Sequence, residues 1–117
     1  MEPKARAVLY VNRSAARLKQ DPEPGCSATA LAASALRDAD RAIELDASYA
    51  KGFFRRAQAL VATAALVSRR SCLHADALVA LAKVISLSPG DAAAQALVQE
   101  VEGAVAREAA TEVDDTR

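Results

Sequence analysis

The sequence predicts an all-α fold, and three observations carry that prediction. First, the apolar fraction is 52% while aromatics make up only 3% and Trp is absent, so the core must come from Ala, Leu and Val. Small residues of that kind let helices approach closely, whereas a sheet would favour β-branched and aromatic residues. Second, apolar residues recur at helical spacing over long stretches and never alternate with period two for long. Third, Gly and Pro fall between those stretches rather than inside them.

Five helical segments follow in order. The first is expected over Lys4–Lys19, stopped by the breaker cluster Asp21-Pro22-Glu23-Pro24-Gly25. The second is expected over Ala28–Leu45, where Ala32, Ala35, Leu36, Ala39, Ala42 and Ile43 form one stripe. The third begins after Asp46, with Ser48 as its expected N-cap, and extends to about Val67 or Arg70. The fourth spans about Cys72–Leu87 and is closed by Ser88-Pro89-Gly90. The fifth starts at Asp91, an N-cap candidate, and reaches about Ala110; residues 111–117 read as an acidic, frayed tail.

The 117 residues suit one domain. Charge is balanced at 15 basic and 15 acidic residues, a distribution that disfavours nucleic-acid binding. Cys26 and Cys72 lack the spacing of a metal or redox motif and read as reduced thiols, which points to a cytoplasmic chain, also compatible with the nucleus. The start MEPKARAVLY has no apolar leader core, and the longest uncharged apolar run, Ala57–Val67, is too short to span a membrane.

The chain also repeats itself. Tyr10-Val11-Asn12-Arg13-Ser14-Ala15-Ala16 aligns with Phe53-Phe54-Arg55-Arg56-Ala57-Gln58-Ala59. Ala35 to Asp46 aligns with Ala77 to Ser88. Offsets of about 42 and 43 residues match HEAT and armadillo units, while tetratricopeptide (TPR) units are shorter, about 34 residues. The residue pattern decides for the latter. "LYVNRSAARL", "DADRAIELDASYAKGFFRRAQAL" and "ISLSPGD" resemble the TPR domains of heat-shock co-chaperones, and are similar to the TPR domain of the TPR-bearing serine/threonine protein phosphatase.

The resemblance implies a TPR-like, right-handed helical-hairpin solenoid: repeat one over about 4–46, repeat two over about 48–88, and a C-terminal capping helix over about 91–110. Ser14 and Ala57 should face Ala35 and Ala77 and bring helices A and B together. Ala42 and Val84 should pack between units, and Tyr10 and Phe53 should anchor them. Excess length falls at Lys19–Ser34 and Ala62–Ala75, in the turns between A and B, where insertion is cheap. Arg17 stands where the family has a bulky residue and is expected to weaken packing.

Function should reside in a protein-binding groove. Lys51 and Arg55 are four apart and so face the same way on the third helix; Asn12 holds the repeat position of Arg55 one unit earlier. Arg grips a carboxylate bidentately, Lys is a point charge, and Asn donates without adding charge. The resemblance implies that these three are part of a two-carboxylate clamp for the acidic C-terminal tail, ending Glu-Glu-Val-Asp, of cytosolic heat-shock chaperones. The family's first repeat supplies two further clamp residues with no counterpart here, so the clamp is expected to be partial. Losing two hydrogen bonds to charged groups would weaken binding by about 3 kcal/mol, roughly a hundredfold. Arg13 and Arg56 either add positive field to the groove or point to solvent. The alternative is a scaffold fragment that docks on another chain, or on itself, through an uncapped N-terminal face. His74 reads as a surface residue and Arg69-Arg70 as a solvated turn. No nucleophile–base pair, phosphate-binding Gly loop or metal-ligand cluster is legible, so neither an enzyme nor a cofactor or metal is expected.

Overall fold

The computed structural model describes residues 1–67 and 70–115 and contains five helices: α1 (Pro3–Lys19), α2 (Ala28–Leu45), α3 (Ala50–Ala64), α4 (Ser71–Leu87) and α5 (Ala92–Asp115). Each helix packs on the next, and α1 also touches α3. The result is a run of helical hairpins, the packing of a small helical-repeat solenoid. Its extents of 58 × 40 × 20 Å make it a flat slab, and its radius of gyration of 15.0 Å exceeds the roughly 13 Å of a compact domain this long.

The loops carry local chemistry that sets the hairpins. In the first, Glu23 and Cys26 exchange backbone hydrogen bonds of 3.0 and 2.8 Å. Pro24 and Gly25 sit between them, and Gly25 has φ 84°. That is a type II turn, which wants Pro at its second position and Gly at its third. Ser27 then caps α2 by accepting from the Ala30 N–H. Asp91 caps α5 as expected, accepting from the Ala94 N–H at 3.0 Å.

Two boundaries differ from expectation. Ser48 does not cap α3: its N–H and hydroxyl both donate to Asp46 Oδ1, at 3.1 and 2.6 Å. The carboxylate wins because it accepts both bonds at once, leaving Tyr49 at the cap position without a side-chain bond. At the other end α3 stops at Ala64, short of Val67, and turns through Ala65 and Leu66. Arg69 lies outside the described residues, as do residues 116–117. Helix α5 continues past Ala110, where the sequence placed its end.

The core is built as the small residues require. Ser14 is buried and donates to the Ala35 carbonyl at 2.9 Å, bringing α1 onto α2. Ala57, Ala77, Leu81, Val84, Ala94 and Val101 form one buried cluster across α3, α4 and α5. Ala7, Val11 and Ala42 form a second, with Tyr10, Leu45 and Tyr49 at its edge. Gly52 allows α3 to close on α2: a Cβ there would lie 3.3 Å from Ile43 Cγ1 and 3.7 Å from Ala42 Cβ.

His74 is buried, not on the surface, at 5% exposure. Its Nδ1 lies 3.2 Å from Glu108 Oε1, so α5 covers it. Both cysteines are free thiols. Among the described residues no helix is long and apolar enough to cross a membrane.

Candidate functional site

The three candidate residues sit on α1 and α3, the first helices of the two hairpins, which touch each other. Asn12 and Lys51 are exposed and Arg55 is half-buried. One turn separates Lys51 from Arg55, so they leave α3 on the same side. That side points away from Ala57, Leu60 and Ala64 but borders Gly52 and Ala59, which α3 also buries, so Arg55 is partly covered while Lys51 is not. Among the described residues neither Asn12 nor Lys51 makes a side-chain hydrogen bond or ion pair.

Arg55 is the most informative of the three. Its Nη1 donates to Gln58 Oε1 at 2.7 Å, and the guanidinium lies 5.7 Å from the centroid of the Phe54 ring. Its Nε–H is buried with no acceptor among the described residues. An unpaired donor of that kind is costly in isolation and is satisfied by an incoming acceptor.

The neighbouring cations Arg13 and Arg56 are engaged by acids of α2, although Arg13 keeps 54% of its side chain exposed to solvent. Arg13 donates to Asp38 from Nε at 3.1 Å and from Nη2 at 2.7 Å, and Arg17 donates to the same carboxylate at 3.1 Å. Asp38 is only 3% exposed, so two guanidiniums from α1 neutralise one buried charge on α2. Arg17 therefore ties the helices together rather than loosening them. Arg56 pairs with Asp40 of α2.

A second concave feature was not visible in the sequence. A groove of about 770 Å³ lies between α2 and α4, with Ile43, Phe53, Val79 and Ala80 among its apolar lining and Asp40, Glu44, Asp76, Arg56 and Lys83 among its polar lining. None of Asn12, Lys51 and Arg55 lines it. The signal is weak because apolar residues cover most of α4 and only Asp76 and Lys83 mark its exposed side. Among the described residues no group of three or more His, Cys, Asp or Glu is placed to hold a metal ion.

No family model matches the chain. One stretch is nonetheless similar to a known protein. Over 59 residues, 50% of this chain, it is 48% identical to Protein unc-45 homolog B of Xenopus tropicalis. The match spans 5% of that protein's length.

Proposed function

We propose that this chain is a protein-binding module, not an enzyme, that takes an acidic C-terminal peptide on the face formed by α1 and α3. Lys51 supplies a point charge, Arg55 a fork of donors, and Asn12 an uncharged donor. The observation that carries the reading is the state of the two cations: Lys51 has no partner among the described residues, and Arg55 keeps a buried Nε–H without an acceptor. A peptide carboxylate supplies a partner for Lys51 directly, and for Arg55 once its guanidinium turns outward from Gln58. The resemblance of the sequence to co-chaperone TPR domains suggests the ligand class, the acidic tails of cytosolic heat-shock chaperones.

Calorimetric titration of the full chain with a tail peptide ending Glu-Glu-Val-Asp, beside the same peptide with an amidated C-terminus, tests this. We expect the free acid to bind, amidation to weaken it at least tenfold, and Arg55→Ala to weaken it by about one order of magnitude or more. Equal binding of the two peptides, or binding of neither to a chain shown folded by circular dichroism, would overturn it.

A second reading rests on a specific observation. On α1, Leu9 is 55% exposed and Val8 is also exposed, an apolar edge at the first hairpin. A neighbouring helical hairpin seated there would make the chain a scaffold element, and it would leave the α1–α3 face without carboxylate selectivity.

A further inference from the structure

Helix α4 buries His74, Ala77, Ala80, Leu81 and Val84 against the rest of the protein. Its opposite side is bare. Cys72, Asp76, Val79, Lys83 and Leu87 are all exposed, Val79 at 71%. At about 100° per residue these five fall within an arc of about 80°. Their spacing of four, three, four and four residues is close to the seam by which one helix packs along another.

The chemistry of this seam is symmetric about its centre. A two-fold axis passing between Val79 and Ala80 exchanges position 76 with 83 and position 72 with 87. One exchange brings an acid to a base, and the other brings a thiol to a leucine. A second α4 laid antiparallel would set Asp76 against the partner's Lys83, Lys83 against the partner's Asp76, and the valines together at the middle. Such a surface is complementary to itself, which is the requirement of a two-fold contact.

Two further observations single out these charges. Asp40 and Glu44, which line the same groove, are already paired, with Arg56 and Arg41. Asp76 and Lys83 have no ion pair among the described residues. The seam also borders the groove between α2 and α4, where Ile43 and Phe53 offer an apolar floor for an incoming ridge.

We propose that α4 mediates antiparallel association with a second copy of this chain. The contact is one helix of about 25 Å against another, at the small end of specific interfaces, so the dimer forms and dissociates with concentration. It lies apart from Asn12, Lys51 and Arg55 and does not depend on peptide binding.

Sedimentation equilibrium on the full chain tests it through a charge swap. We expect the parent chain to show a monomer–dimer equilibrium. Asp76→Lys places like charges at both ends of the seam, as does Lys83→Glu, and each variant alone should dimerise about tenfold more weakly. An equimolar mixture of the two variants should recover dimers, because each end then joins opposite charges. Both positions are exposed, so circular dichroism should be unchanged. A parent chain that stays monomeric at millimolar concentration would overturn the proposal. So would variants that associate as strongly as the parent, or a mixture that behaves as its separate components.

Discussion

Asp46 and Ser48 show how a single side chain sets a junction. Both residue types cap helices well, and the sequence favoured Ser48. In the fold Asp46 accepts from the Ser48 hydroxyl and from its N–H. Those bonds hold the Asp46 pKa below its ordinary value of 3.8, the hydroxyl contributing most; burial opposes them, and the Ser48 N–H and Lys4 add to the lowering. A carboxyl whose folded pKa is depressed stabilises the fold above its unfolded pKa and loses that contribution as pH falls through the folded value. Thermal unfolding followed from pH 6 down to pH 3 should therefore show a loss of stability below about pH 4 that Asp46→Asn makes shallower. An identical pH profile for the variant would contradict the role given to this turn. Asp38 makes the complementary point. Arg17 read as a packing defect because the sequence shows a charge where bulk is usual. Its partner is 21 residues away, on a helix face whose meeting with α1 depends on the fold.

At the scale of elements, boundaries were legible wherever local chemistry sets them. Helix α2 has the limits read from its alanine stripe, Ala28–Leu45, between a Pro-Gly turn and Asp46. The end of α3 was not legible, because Val61–Val67 continues apolar and offers no stop signal. Orientation was harder still in α4, where only Asp76 and Lys83 mark the surface and Val79 stands between them among Leu73, Leu78, Leu81, Val84 and Ile85. The fold separates them: Leu81 is fully buried, while Val79 projects to solvent. Leu81→Ala should cost about 2–5 kcal/mol in denaturant unfolding, and Val79→Ala in dilute solution should change stability by less than about 0.5 kcal/mol. Similar losses at both sites would mean that α4 is turned differently. The same ambiguity hid the symmetric seam, whose charges become meaningful only once the opposite face is known to be buried.

At the scale of the whole molecule, the chain is a short solenoid, 20 Å thick, with two distinct surfaces. One is the proposed peptide face, with Asn12 on α1 and Lys51 and Arg55 on α3; the other is the exposed side of α4 beside its groove. The repeat alignment placed the three candidate residues on the first helices of the hairpins. It could not reveal that Arg13, Arg17 and Arg56 are held by acids of α2, while Lys51 has no ion pair among the described residues and Arg55 keeps one donor without an acceptor. The central claim is that this face captures a peptide carboxylate. Amide chemical-shift mapping by nuclear magnetic resonance, with the acidic tail peptide titrated into the labelled chain, addresses that claim most directly. The account predicts shifts concentrated around Asn12, Lys51 and Arg55, with the α4 amides unmoved. Shifts confined to α4 and its groove, or none anywhere at saturating peptide, would contradict it.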